Sequence, residues 1–170
     1  MRIKSIDRKN LMWEMWFFLV AGIVIGLDQL SKYLVRANMY EGQSVPEHGF
    51  FRINYGTNTG GVFGLFSNQT FLITVAAVVS VVVIILYSRH KMAQSMLVKV
   101  SLGMILGGSI GNLIDRIRFG AVTDFIDVGA WPVFNLADSA IDIGVVLLVI
   151  YILFRMKKDS KEAKQVEPKD

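Results

Sequence analysis

Between Gly107 and Asp138 the chain carries the carboxylates Asp115, Asp124, Asp127 and Asp138, the carboxamides Asn112 and Asn135, and Arg116. Strongly apolar segments flank this stretch, and ionisable groups at a membrane edge mark a functional-site candidate. The chemistry open to such a cluster is narrow. Two carboxylates brought close in a poorly solvated place cannot both ionise easily, so they share a proton, one acting as general base and the other as acid. Such a pair can activate water against an amide carbonyl and then protonate the leaving nitrogen. Competing devices drop out by composition. The 170 residues include no cysteine, which removes thiolate nucleophiles, disulfides and cysteine metal sites. The two histidines, His48 and His90, fall in separate connections, so neither a metal set nor a cofactor is expected. A Ser31–Lys32 dyad is disfavoured because adjacent helical residues point about 100° apart.

The elements that must position this cluster are membrane helices. The chain is 53% hydrophobic and only 19% charged, and its apolar residues come in blocks. The net charge of +4 comes from basic residues just outside those blocks, a pattern that reports membrane orientation rather than nucleic-acid binding. Four spans are expected at about 14–36, 70–88, 97–115 and 138–156, within a single membrane domain over 1–160 and ahead of a disordered cytoplasmic tail at 161–170. The basic start before the first span resembles a signal peptide, but no small-residue cleavage site follows and further spans come later. Between the first two spans, Phe51, Ile53 and Tyr55 alternate with Arg52 and Asn54, which predicts a small β element at the membrane surface. Gly103, Gly107 and Gly111 recur every four residues, a spacing that lets another helix approach closely. Lysine and arginine divide 13 to 2 between the two sets of connections, so both termini and the middle loop are expected in the cytoplasm.

That topology makes the polar residues converge. Asp28 and Lys32, one helical turn apart, lie near the outer end of the first span. Asn112, Asp115 and Arg116 share a face near the outer end of the third, where Arg116 is expected to pair with Asp115. Asn135 and Asp138 open the fourth span, with Asn135 a candidate helix cap, and Asp124 sits in the outer loop between. The Asp28/Lys32 pair reads equally well as a neutralised anchor in the headgroups. The inner halves of the spans hold little beyond Thr, Ser and Gly. A transport path needs polar groups through both halves, and a purely structural subunit leaves the carboxylates without a purpose. Peptide-bond hydrolysis is therefore the leading function, with the reacting pair of aspartates left open by spacing alone.

Specific motifs narrow it further. Asp28-Gln-Leu-Ser-Lys32, Asn58-Thr-Gly-Gly-Val-Phe-Gly64, Gly107-Gly-Ser-Ile-Gly-Asn-Leu-Ile-Asp-Arg116, Val122-Thr-Asp-Phe125 and Phe134-Asn-Leu-Ala-Asp-Ser-Ala-Ile141 follow one another along the chain. In that order they resemble lipoprotein signal peptidase, the bacterial signal peptidase II. The resemblance implies an α-helical integral membrane protein with four transmembrane helices and a small extracytoplasmic β cradle. It implies an aspartic endopeptidase of the cell inner membrane that cuts diacylglyceryl-modified prolipoproteins before the lipid-modified cysteine and is sensitive to globomycin. The catalytic dyad maps onto Asp124 and Asp138. Supporting positions map onto Asp28, Lys32, Asn58, Gly60, Asn112, Asp115, Arg116 and Asn135. The expected partners are prolipoprotein substrates and membrane lipids, with no nucleic acid, and the expected state is a monomer. Gly61-Val62 stands where the family more often has two alanines, and the connection from Asp124 to Trp131 looks short. Gly60, Gly61 and Gly64 with Phe63 and Phe66 read equally well as a flexible flap over the acidic cluster or as an interfacial anchor through their aromatic rings.

Overall fold

A computed structural model describes residues 8–60, 70–90, 93 and 95–166. Four helices organise them: α1 (Arg8–Asn38), α2 (Thr70–Ser88), α3 (Met96–Phe119) and α4 (Leu136–Val166). Each contains a stretch long and apolar enough to cross a membrane. Their outward surfaces are apolar, with Phe18, Leu19 and Ile23 on α1, Leu72, Val79 and Leu86 on α2, and Leu153 and Phe154 on α4 all exposed. Side chains of that kind face lipid rather than water in a four-span protein.

Helix α3 is the centre, and its glycines explain why. A Cβ at Gly103 would stand 2.7 Å from the Phe17 carbonyl oxygen, and one at Gly107 would stand 2.7 Å from that of Ala21. These bare backbone positions let α1 lie directly on α3, the close packing that small residues permit where lipid removes the hydrophobic drive. Across the other face, Gly108 accommodates Ala137 and Ile141 of α4, and Gly144 of α4 accommodates Ser101 and Ile105. Phe17, Ala21, Val98, Leu102 and Leu106 form the buried core, with Ile85 of α2 and Leu148 and Tyr151 of α4 packed against it.

A three-stranded antiparallel sheet sits by the α1 C-terminus, in the order β1 (Ser44–Val45), β2 (Arg52–Asn58), β3 (Val122–Asp127). Gly120 ends α3 in the left-handed conformation, φ 75°, and donates its N–H to the Arg116 carbonyl at 3.0 Å, turning the chain directly into β3. Asp124 is therefore strand-borne, not in a loop as its sequence context implied. Val122 through Phe125 are all buried, so the strand shows no alternation by which to recognise it. Exposed aromatics, Tyr40, Phe50, Phe51 and Trp131, surround the sheet, as at a membrane interface.

Three further expectations change. Lys99 and Arg118 lie inside α3 rather than in connections, and Arg8, Lys9 and the basic residues from Arg155 to Lys164 lie in the ends of α1 and α4, so much of the charge count is carried on helix ends. The tail from 161 begins as helix, because residues 155–166 contain neither glycine nor proline to stop α4. The end of the bundle away from the sheet is not purely apolar: buried Lys99 donates to Glu14 and to the Ser88 carbonyl. Glu14 and Asp28 are 14 residues apart on α1, about 21 Å at 1.5 Å per residue. The apolar seam of Phe17, Ala21 and the α3 glycines fills that interval, so the two polar layers are not joined into a transport path.

Candidate active site

The start of α4 is built as a reciprocal cap. Asn135 precedes the helix, and its Oδ1 accepts the Asp138 N–H at 3.0 Å, while Asp138 Oδ2 accepts the Asn135 N–H at 3.2 Å. This is a capping box with an aspartate in the third helical position. The Asn135 amide nitrogen is thereby turned outward from the box, donating to Asp124 Oδ1 at 2.6 Å and to Asn112 Oδ1 at 3.1 Å. One residue thus holds the carboxylate of the helix start and the carboxylate of β3.

Asn112 closes the arrangement. Its Oδ1 accepts from Lys32 Nζ at 2.9 Å as well as from Asn135, and its Nδ2 donates to Asp138 Oδ1 at 2.7 Å. Neither the Asp138 N–H nor the Lys32 ammonium can accept, so these two groups set which way the Asn135 and Asn112 amides point. Both amides consequently present N–H donors to the carboxylates. Asp124 Oδ2 takes a third, from Asn58 Nδ2 at 3.0 Å, and Asn58 Oδ1 accepts the Gly60 N–H at 3.0 Å. Gly60 has φ 132°, a conformation that disfavours any side chain, so glycine is needed for that turn. Across the β2–β3 ladder Asp124 is paired with Gly56, where an added Cβ would meet no described atom within 4 Å. The carboxylate accordingly has no side chain beside it on that strand position.

Burial and the neighbouring charge of Asp138 push Asp124 up to about 6, against the lowering effect of the Asn58 and Asn135 hydrogen bonds. Asp127, three residues along, behaves oppositely. Its carboxylate accepts the Gly129 N–H at 2.8 Å, binds Arg52 at 2.6 Å and Asn54 at 3.2 Å, and is held below the ordinary aspartate value chiefly by the Gly129 bond. It pins β3 to β2 and stands outside the Asn135-centred network of Asp124 and Asp138.

Beneath the pair lies a second layer of buried charge. Lys32 binds Asp28 at 2.9 Å and approaches Asp115 at 3.7 Å, with all three side chains fully buried. Asp28 also accepts the Ala137 N–H at 3.0 Å, tying α1 to the first turn of α4. The pair is therefore interior scaffolding, not a headgroup anchor. Ser31 donates to the Asp28 carbonyl at 2.8 Å and takes no part with Lys32. Asp115 accepts the Thr123 N–H at 3.0 Å, orienting the residue next to Asp124. Its salt-bridge partners are Lys32, at 3.7 Å, and Arg36, at 3.5 Å; the expected Arg116 is not among them and acts on Asp115, as on Asp138 and Asp124, only as a nearby charge. Arg116 instead keeps a buried Nε without a hydrogen-bond partner among the described residues.

Three contributors escaped the sequence reading. Arg36 donates to Thr123 Oγ1 at 2.7 Å, and Gln29 Nε2 bridges the Gly111 carbonyl at 3.0 Å and Asp115 at 3.2 Å. Arg36 continues the four-residue series Asp28, Lys32, Arg36, so its spacing was an available signal; Thr123 had only its place beside Asp124. The flap or anchor at Gly61, Phe63, Gly64 and Phe66, and the Gly61-Val62 departure, lie outside the described residues.

The model of the Signal peptidase (SPase) II family matches residues 20–154, a range that contains every side chain of the two layers just described. The chain belongs to the signal peptidase II family. It is 42% identical to the lipoprotein signal peptidase of Moorella thermoacetica over 86% of this chain and 98% of that protein. It is 43% identical to that of Halothermothrix orenii over 79% of this chain and 93% of that protein. Two solved bacterial membrane enzymes, at 2.3 and 1.9 Å resolution, share its fold with TM-scores of 0.74 and 0.73. They are 30% and 31% identical, and the matches cover 91% and 81% of this chain and 93% and 92% of theirs. As in the signal peptidase II family generally, the chain is a multi-pass membrane peptidase.

Proposed function

We propose that this chain removes the signal peptide of prolipoproteins by aspartic catalysis, with Asp124 and Asp138 as the reacting pair. The observation that carries the reading is Asn135, which donates to Asp124 through its amide and to Asp138 through its backbone, holding two carboxylates from different elements at one place. The pair shares one proton. The ionised member takes a proton from water as the water attacks the scissile carbonyl, and the protonated member polarises that carbonyl. The tetrahedral centre then collapses as the departing amine is protonated. The two acids titrate as a unit, so neither has a private role in the resting enzyme. Arg116, with its buried Nε unmatched, suits a carbonyl of the bound peptide. Asp28, Lys32, Asp115, Asn112, Asn58 and Gly60 hold the pair rather than react.

Membership in the family supports a substrate already carrying diacylglycerol, cut on the amino side of the lipid-modified cysteine, with globomycin occupying the same site. The charge asymmetry supports placement in the bacterial inner membrane with both termini cytoplasmic and the dyad and sheet at the outer face. Residues 1–160 serve as one catalytic domain, acting as a monomer without a cofactor.

The test is turnover of a diacylglyceryl-modified prolipoprotein by the purified protein, with and without globomycin. Asp124→Asn and Asp138→Asn are each expected to abolish cleavage while remaining folded, and the double variant to be no worse than either, because groups acting as a unit are not additive. Near-normal turnover by Asp124→Asn, beside a folded but inactive Asp115→Asn, would give Asp138 a different partner.

A further inference from the structure

Asp142 stands one turn beyond Asp138 on α4, about 6 Å further along the helix axis and away from the sheet. Its side chain is exposed, and among the described residues it makes no hydrogen bond and no salt bridge. It lies within Leu136–Lys158, a stretch long and apolar enough to cross a membrane. Ile143, Val145 and Val146 beside it are exposed, so its surroundings are lipid rather than water. An unpaired carboxyl in that setting is costly and marks a functional position.

The packing of α4 sets its direction. Ala137 and Ile141 are received by Gly108 of α3, and Gly144 receives Ser101 and Ile105. Asp138 lies on the flank beside that packed face, and a residue four further on is turned from it by only about 40°. The same flank continues through Val145 and Val149, both exposed. Asp138, Asp142, Val145 and Val149 therefore form one stripe: a proposed reacting acid, an unmatched carboxyl, then bare hydrocarbon. Asn112 and Asn135, which serve Asp138 and Asp124, give Asp142 no hydrogen bond, so it is not a third member of the pair.

A signal peptide supplies what this stripe lacks. The segment ahead of the cut is the part that lies in the membrane, so it runs from Asp138 in the direction of Asp142. Around the scissile bond it must leave its helix for water to reach the carbonyl, and each unwound residue exposes a backbone N–H that lipid cannot satisfy. An extended chain advances about 3.3 Å per residue, so the step of about 6 Å from Asp138 to Asp142 spans two residues.

We propose that Asp142 is a substrate-binding residue: its carboxyl accepts the backbone N–H two residues upstream of the attacked carbonyl, with the apolar part of the signal peptide along Val145 and Val149. This rests on the peptidase reading and on Asp138 as a reacting acid.

The experiment compares cleavage, by the purified full chain, of a synthetic diacylglyceryl-modified prolipoprotein peptide and of the same peptide with an ester oxygen replacing that one N–H. The ester should raise KM about fivefold, the effect of one lost hydrogen bond, and leave kcat nearly unchanged. Asp142→Val should raise KM for the parent peptide by a similar factor and respond no further to the ester. It should also be recovered from membranes at least as well as the intact chain, because an unpaired carboxyl has gone. Asp142→Asn keeps an acceptor oxygen and should keep most of the affinity. Equal KM for the two peptides with the intact chain overturns the proposal. So does Asp142→Val with an unchanged KM, or with a continued preference for the parent over the ester. The ester comparison needs no variant, so poor folding of Asp142→Val leaves it decisive. No cleavage of the parent peptide by the intact chain would refute the peptidase reading itself, and this inference with it.

Discussion

Replacing Lys32 by Met separates the stability of the buried layer from the alignment of the dyad. Methionine fills much of the same volume but removes the ammonium that lies 2.9 Å from Asp28 and 2.9 Å from Asn112 Oδ1. Asp115 still has Arg36 at 3.5 Å, whereas Asp28 has no second salt bridge among the described residues. An uncompensated buried carboxylate destabilises by about 3–5 kcal/mol, and hydrogen bonds from Ala137 N–H and Gln29 place this case towards the lower figure. On the scale of soluble domains of similar length that corresponds to a fall in Tm on the order of 10 °C. Adding Asp28→Asn removes the stranded charge and should return most of that loss. Turnover should not return in full, because Asn112 Oδ1 has still lost the shorter of its two donors and keeps only Asn135 to hold its amide towards Asp138. The assay is thermal unfolding of purified variants by tryptophan fluorescence, paired with cleavage per folded molecule. A double variant as unstable as Lys32→Met refutes the stranded-charge argument. One that regains full turnover refutes the role of Lys32 in orienting Asn112.

Three other outcomes follow from the same geometry. The proposed dyad needs one proton, so kcat/KM should fall on the alkaline side as the pair loses it; Asn58→Ala removes a bond that favours the ionised form of Asp124 and should move that limb to higher pH, and a profile that stays put or moves down contradicts the assignment. Gly111→Ala places a Cβ 2.5 Å from Asp28 Oδ2, so folded protein recovered from membranes should drop several-fold, while Gly22→Ala, in open surroundings, should be tolerated; equal recovery would mean the seam is looser than described. Reporter fusions at Gly42 and after Val166 should report opposite sides of the membrane, and a common side removes the topology along with its account of the outer site.

The sequence was informative wherever structure is local. Hydropathy located the spans, the four-residue spacing marked the glycine seam, and Asn135 three residues before Asp138 announced a cap. What stayed hidden depends on contacts made across the bundle. Asp115 looked like the partner of Arg116 because they are adjacent, but neighbours on a helix diverge, and the salt bridges of Asp115 come from α1. Lys99 looked like part of a basic connection, yet it reaches Glu14, 85 residues away, once α1 and α3 are packed. The strand carrying Asp124 was obscured because a segment buried on both faces has no polar alternation, and its two aspartates looked like loop residues.

The site also explains why its support is so extensive. An aspartate whose value rises from 3.8 to about 6 on folding binds its proton more tightly in the folded state. Relative to its protonated form it costs nothing below about pH 4; stability then falls as pH rises through about 6 and levels off roughly 3 kcal/mol lower. A sequence selected for stability alone would not leave such a group there, since Asn at 124 would carry no charge to desolvate. Reactivity needs the opposite, a proton that is poorly held by solvent and shared with a second acid. The capping box answers part of this tension, because the Asp138 that burdens Asp124 also closes the first turn of α4, so the helix start cannot form well without bringing the two acids together. The Asp28–Lys32–Asp115 layer answers the rest by fixing the donors that face both carboxylates. Folding of the sheet end of the bundle and assembly of the proposed reacting pair are, on this geometry, the same event.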